Sequence, residues 1–170
     1  ELGKEIELTT EGADTELDKT VIEKLNDPLV HLIRNSIDHG IEPPDVRESQ
    51  GKSKTGIINL SAVHSGGNVI IRIQDDGKGL DKDAILARAL EKGLVNHNTE
   101  LSEKEIFNFI FHPGFSTAKE VSNVSGRGVG MDVVKKAIDM LRGSIDIESI
   151  KGKGTTITVT LPLTLAIVEG

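Results

Sequence analysis

The chain has 170 residues, a formal charge of −7, an isoelectric point near 5.2 and no Cys, Trp or Tyr. That length suffices for one sheet with helices packed on it, and the acidic balance argues against an electrostatic grip on nucleic acid or an anionic membrane. Without Cys there are no disulfides or thiolate metal sites, and no signal peptide or bilayer-length apolar run occurs, so a soluble, cytoplasmic protein with no membrane insertion is expected.

Residues 4–10 alternate, with Ile6 and Leu8 on one side, and read as an edge strand ended by a Glu11-Gly12 turn. The spacing of Val21, Ile22 and Leu25 predicts a helix over 18–25 that runs into Asp27-Pro28. A second helix is expected over 29–42, LVHLIRNSIDHGIE, with Asp27 as N-cap, Pro28 at its first position, and Gly40, Pro43 and Pro44 as the stop. At about 100° per residue, Val30, Ile33 and Ile37 form an apolar stripe while His31, Asn35 and Asp38 align opposite. A solvated helix face usually carries Lys and Glu. Imidazole, amide and carboxylate in their place are groups that coordinate ions or move protons; a polar face without a task is the alternative.

Residues 43–55 lack periodicity and read as a polar surface loop. Gly51-Lys52-Ser53 imitates the end of a phosphate loop, but Val46 stands where that motif needs Gly, and no flanking strand or helix is signalled. Residues 57–63 and 69–74 alternate as a hairpin whose second strand runs into Asp75-Asp76-Gly77-Lys78-Gly79-Leu80. Asp81 caps a helix over 82–92 closed by Gly93, and Ser102 with Glu105 makes a capping box for a helix through Ile110. Phe107 and Phe111, four apart, belong in that helix's core stripe. Residues 112–128, rich in Gly and Ser, read as a lid over a ligand. A helix over 129–142 follows, apolar at Val133, Ala137, Met140 and Leu141 and ended by Gly143. Residues 144–149 and 155–161 form a second hairpin ended by Pro162, and residues 165–170 are expected to lead into a following domain.

Two glycine-bearing segments carry candidate chemistry. Gly126-Arg127-Gly128-Val129-Gly130 opens a helix, so unpaired amides and the positive helix end converge where phosphate binds well. Met131 occupies the last glycine position of the dinucleotide fingerprint and no strand leads in, which excludes that motif; a flexible turn is the alternative. In the segment that begins at Asp75, Leu80 and Leu86 occupy the Gly and Glu positions of a calcium loop and exclude it. An Asp fixed at a strand end accepts from the exocyclic amine of adenine, where guanine presents an oxygen, and neighbouring glycines let a flat ring reach the backbone. An ordinary Asp-Gly turn is the other reading.

Taken in order, a helix bearing HLIRN, a hairpin ending in DDGKG, a lid, GRGVG opening a helix and a hairpin with GKGT, the chain resembles the GHKL superfamily of ATP-binding domains. Histidine kinases, gyrase, Hsp90 chaperones and MutL repair proteins share it. RNSIDHGIE, HPGFST, SGRGVGMDVV and LPLTLAIVEG are similar to the chemotaxis histidine kinases within it, and the resemblance covers essentially the whole chain. It implies a single domain over 1–170, a two-layer α/β sandwich of the Bergerat type with a mixed, mostly antiparallel sheet, helices on one face and ATP between the layers. It implies Asn35 as the Mg²⁺ ligand, Asp75 on the adenine amine with Gly77 and Gly79 beside the ring, Thr155 supporting that network, and Leu80 and Met131 lining the pocket. The phosphates would meet the amides of Gly126, Gly128 and Gly130, with Arg127 and Val129 in the same loop. His31, Asp38 and His39 would face the phosphate end, and Phe115 and Ser116 would belong to the lid.

In hydrolysing members of the superfamily a Glu four residues before the metal-binding Asn activates water, and His31 stands there in this chain. The departure favours transfer to a protein over hydrolysis, although an imidazole also serves as a base. His64, His97 and His112 sit in loops without the look of an acceptor module. The resemblance therefore implies a phosphoacceptor His supplied in trans, dimerising and regulatory parts of the kinase elsewhere, and this domain alone as a monomer. A conformational ATPase and a non-catalytic nucleotide sensor are the competing readings. Lys78, Arg88, Lys119 and Arg127 are within long-side-chain reach of phosphates, and the sequence does not rank them.

Overall fold

A computed structural model of the chain describes residues 5–11, 19–96, 100–112, 115 and 131–162. The alternating runs pair into one five-stranded sheet: β1 (Glu5–Glu11), β2 (Thr55–Ser65), β3 (Asn68–Asp75), β4 (Ser144–Ile150) and β5 (Gly154–Pro162), ordered β1-β2-β3-β5-β4. β1 pairs parallel with β2 at one edge and every other pairing is antiparallel. The expected mixed, mostly antiparallel sheet is present. The helices are α1 (Lys19–Asn35), α2 (Pro44–Ser49), α3 (Lys82–Glu91), α4 (Glu103–Asn108) and α5 (Met131–Met140). Among the described residues no helix is long and apolar enough to cross a membrane.

Register makes one face of the sheet apolar. Ile73, Ile157 and Ile147 form a row across β3, β5 and β4; Ile71, Val159 and Ile145 form the next, and all six are buried. Leu25 and Leu32 of α1, Phe107 of α4, Phe111 just beyond it, and Val134 and Ile138 of α5 complete the same core. Each such side chain contributes roughly 1.5–3 kcal/mol on full burial. Local signals hold where local chemistry decides: the Asp81 carboxylate accepts from the N–H groups of Asp83 and Ala84, and Ser102 with Glu105 forms the capping box.

Several expectations change. α1 is one helix where two were expected; Pro28 lies inside it, so Asp27 is no N-cap. The buried seam of α1 is Leu25, Pro28, Leu32 and Ser36, whereas Val30 is 48% exposed. This seam lies between the apolar stripe and the polar stripe drawn on the helical wheel. Packing it against the sheet outweighs the backbone hydrogen bond that Pro28 removes. Beyond Asn35 the chain widens into a π turn, Ser36–Gly40, in which the Ile41 N–H donates to the Ser36 carbonyl at 2.8 Å.

Residues 43–55, expected as a surface loop, contain α2 and bury Arg47, which is 1% exposed. Arg47 and Lys52 belong to an internal ion network, while Asp45, Glu48 and Lys54 are exposed as expected. On α5 the buried stripe is Val134, Ile138 and Leu141; Val133 and Met140, expected inside, are exposed. The helix end is a left-handed residue at Arg142, φ +61°, rather than at Gly143. Gly143 is small for a different reason: a Cβ there would meet Leu161 Cδ2 at 2.5 Å and the Thr160 carbonyl at 2.6 Å.

Gly143→Ala is accordingly expected to cost about 1–3 kcal/mol through overpacking. Arg142→Gly should change stability by less than about 1 kcal/mol, relief of the left-handed backbone being offset by unfolded-chain entropy. Urea unfolding of the two variants checks the ordering.

Candidate functional site

The apolar rows of the sheet end in a polar one. By register Asp75, Thr155 and Ser149 lie side by side across β3, β5 and β4, beyond Ile73, Ile157 and Ile147. Asp75 is 7% exposed. Its carboxylate accepts from the Gly77 N–H at 2.9 Å, from the Ser36 hydroxyl and from the Thr155 N–H. Among the described residues no cation pairs with it. Burial outweighs the three donors, with the Asp76 charge adding to it, and pushes the carboxyl pKa above the ordinary range. Ser149 accepts from the Leu80 N–H at 2.7 Å and lies 3.0 Å from the Thr155 hydroxyl, tying the second hairpin to the turn after β3.

That turn closes on the helix end because two of its residues are glycine. A Cβ at Gly77 would overlap the Gly40 carbonyl, and Gly79, at φ +75°, sits against the Ile150 carbonyl. The Lys78 N–H donates to the Gly40 carbonyl at 2.8 Å, and the Gly152 N–H to the Lys78 carbonyl at 2.6 Å. Residues 75–79 are thus held between the π turn and the β4–β5 hairpin.

Beneath the turn lies a network that the sequence reading missed. Arg47 donates to Glu42 at 3.0 Å and to the Asp76 carboxylate at 2.9 Å, and Lys52 donates to Glu42 at 2.7 Å. Burial works to raise the Glu42 pKa, but the Lys52 hydrogen bond and the charges of Lys52 and Arg47 leave it lowered. In sequence these residues look like any solvated charged loop, and nothing local marks them as buried.

The opposite wall comes from α1 and α5. The Asn35 amide nitrogen donates to Met131 Sδ at 2.9 Å, an arrangement that leaves its oxygen as the group offered to a hard cation. His31, one turn earlier, has its pKa lowered by burial and then by the Arg34 charge, so its imidazole is neutral at neutral pH. Phe115 is 6% exposed; its ring stacks on Phe109 at 6.5 Å between centroids and lies under the Arg88 guanidinium at 5.8 Å.

A cavity of about 1060 Å³ runs between these walls, from Asp75, Thr155 and Gly79 past Leu80 and Met131 to Asn35, His31 and His39. Those eight expected residues come together. Asp38 does not line the cavity, because the wide π turn advances each residue by a smaller angle and brings His39 and Gly40 round in its place. Gly77 is buried behind the cavity wall. Phe115, expected in the lid, lines the cavity, whereas Ser116, Gly126, Arg127, Gly128, Val129 and Gly130, with the rest of the lid apart from His112, lie outside the described residues. Ser36, the first residue of the π turn, was missed, because which flank of α1 is buried is not marked in the sequence. Among the described residues no group of three or more His, Asp or Glu could hold a metal. One amide oxygen, that of Asn35, fits Mg²⁺ in another way, since that ion takes few protein ligands and keeps waters or ligand oxygens in its other positions.

Residues 24–165 match the family described as histidine kinase-, DNA gyrase B-, and HSP90-like ATPase. The chain belongs to this family. Membership in an ATPase family makes ATP its ligand. The chain is 55% identical to the sensor histidine kinase CheAY of Helicobacter pylori, over 99% of the chain and 21% of that protein. It is 54% identical to the chemotaxis protein CheA of Salmonella typhimurium, over 99% of the chain and 25% of that protein. It therefore spans between a fifth and a quarter of the length of these curated relatives. The nucleotide-free catalytic domain of histidine kinase ThkA superposes with a TM-score of 0.57 at 20% identity, covering 93% of this chain and 79% of that one. The mycobacterial sensor histidine kinase MprB gives 0.53 at 16%, covering 95% and 83%. These structures share the α/β fold.

With its pKa raised by burial, Asp75 binds a proton more tightly in the folded chain than in the unfolded one. Its ionised form thus costs stability at neutral pH, and the cost is relieved as pH falls through the folded pKa. Asp75→Asn is expected to compare more favourably with the parent chain at neutral than at acid pH. Urea unfolding across that range checks the sign.

Proposed function

We propose that this chain is the ATP-binding catalytic domain of a cytoplasmic chemotaxis histidine kinase, a single domain over residues 1–170. It transfers the γ-phosphoryl group of ATP to a histidine on a phosphoacceptor domain supplied in trans, and is monomeric apart from the rest of the kinase. The observation that carries the reading is one cavity with a buried carboxylate, Asp75, at one end and Asn35 with a neutral His31 at the other. The identity to chemotaxis proteins supports transfer as the reaction.

Asp75 would accept from the adenine amine while Ser36, Gly77 and Thr155 hold its carboxylate. Leu80 and Met131 supply apolar contact for the ring. The Asn35 oxygen would hold Mg²⁺, whose charge neutralises oxygens of the β- and γ-phosphates. The acceptor imidazole attacks with a nitrogen lone pair and a P–N bond forms. The bond from phosphorus to the β–γ bridging oxygen breaks, its electron pair leaves on ADP, and the imidazolium so formed releases its N–H proton to solvent. His31, neutral, would polarise or position the γ-phosphate for the incoming ring. Residues 126–130 and the lid bearing Ser116 are assigned to the phosphates. A second reading, ATP hydrolysis, is favoured by the same neutral imidazole, which is able to take a proton from water.

Incubation with γ-labelled ATP and a histidine-bearing acceptor domain is expected to give acid-labile label on the acceptor; label recovered as free phosphate alone overturns transfer in favour of hydrolysis. Asn35→Ala should abolish the Mg²⁺ dependence of ATP binding, measured by calorimetry with and without the metal. Asp75→Asn should lower the preference for ATP over GTP by about tenfold or more, the scale for leaving a buried hydrogen-bond partner unmatched. A competition assay reads that ratio.

A further inference from the structure

Two acidic residues follow one another at the end of β3, and the fold treats them oppositely. Asp75 has no cation against it among the described residues, whereas the Asp76 carboxylate receives Arg47 Nη2 at 2.9 Å and the Ile57 N–H at 2.9 Å. The Arg47 guanidinium is held on every side. Its Nε donates to the Ser53 carbonyl at 2.6 Å, and its Nη1 donates to Glu42 at 3.0 Å and to the Asp76 carbonyl at 3.2 Å. Lys52 donates to Glu42 at 2.7 Å, to the Asp76 carbonyl at 3.1 Å and to the Gly77 carbonyl at 2.8 Å. Both cations therefore converge on the Asp76 carbonyl, one residue past the carboxylate assigned to the base. Glu42, their shared partner, lies two residues beyond Gly40, so the same contacts fasten that carbonyl to the end of the π turn. None of Glu42, Arg47 and Lys52 lines the cavity.

Stability alone does not account for such a network. A buried ion cluster is often replaceable by apolar side chains at little cost, because desolvation offsets its Coulombic gain. Apolar packing cannot reproduce a rigid planar fork that grips a carboxylate and a carbonyl of the same residue at once. We infer that Arg47, assisted by Lys52, is a positioning residue for base recognition: it locks the Asp75–Asp76–Gly77 turn against the π turn so that the Asp75 carboxylate keeps one orientation toward a purine's exocyclic amine. The inference rests on the nucleotide reading above and adds the residues that set its selectivity from outside the cavity.

The test measures dissociation constants of Mg-ATP and Mg-GTP by titration calorimetry on this chain. It uses Arg47→Met, Arg47→Lys, Asp75→Asn and the Arg47→Met/Asp75→Asn double variant, with urea unfolding of each. Arg47→Met should weaken ATP about tenfold, within the range that slight misplacement of a binding group produces, and compress the ATP-to-GTP ratio. It should add little once Asp75 is Asn, since both changes act through one carboxylate. Arg47→Lys keeps the charge without the fork and should recover only part of the loss. A parental ratio in folded Arg47→Met overturns the inference. So does an equal loss for both nucleotides that adds to the Asp75→Asn effect, the mark of a merely structural residue. Should Arg47→Met fail to fold, Lys52→Met, at a side chain 17% exposed, makes the same comparison. A smaller compression of the ratio is then expected, and an unchanged ratio overturns the proposal. If Asp75→Asn itself leaves the ratio intact, the nucleotide reading fails instead.

Discussion

A carboxylate buried at a strand end, with hydrogen-bond donors but no counter-ion against it among the described residues, is the constraint to which the rest of this structure answers. Water solvates an ionised carboxylate far better than three protein donors do, so placing Asp75 at the end of the inner face costs free energy. The cost is accepted only where the surroundings leave the side chain no other place. Here the Gly77 N–H, the Thr155 N–H and the Ser36 hydroxyl come from the turn, the neighbouring strand and the π turn, three elements distant in sequence. A group satisfied on those sides and open to a cavity can take a partner that brings its own donor, and the adenine contact proposed above rests on this environment as much as on the residue type.

Asp75 and Asp76 show how environment divides two identical side chains. One is desolvated with its proton affinity raised; the other is pinned by Arg47 and a backbone N–H at the turn's outer side. The arrangement separates holding from recognising. Charges that serve rigidity are paired beneath the turn, and the carboxylate proposed to meet a ligand has no counter-ion among the described residues. A similar division appears across the cavity, where Met131 takes the nitrogen of Asn35 and leaves its oxygen for the cation proposed above.

The features legible in the sequence are those decided within a few residues. The two hairpins, the Asp81 cap and the Ser102–Glu105 box stand where alternation and capping chemistry put them. That His31 and Asn35 of α1 line one cavity was legible too, because imidazole and amide one helical turn apart must share a face. Asp38 was misplaced by the same logic: the helical wheel assumes an α-turn, and the chain switches to a wider π turn at Ser36, so the phase of the wheel no longer holds by Asp38. At α5 Leu141 is buried as expected, but Val134 and Ile138 take the places given to Val133 and Ala137, because periodicity gives a spacing while the direction of the sheet sets its phase.

By itself, then, the sequence determined the strands, the caps, the order of motifs and the family, since these depend on neighbours along the chain and on residue types that few folds combine. Only the tertiary structure decided which flank of α1 meets the sheet, that Pro28 sits inside a helix, and that Arg47, Glu42 and Lys52 leave a seemingly solvated loop to support the turn after β3. The physical reason is that burial of a charge is settled by partners far away in sequence. A Glu, an Arg and a Lys along a polar segment read as exposed until the carbonyls and carboxylate of another strand's end are brought within hydrogen-bonding distance of them.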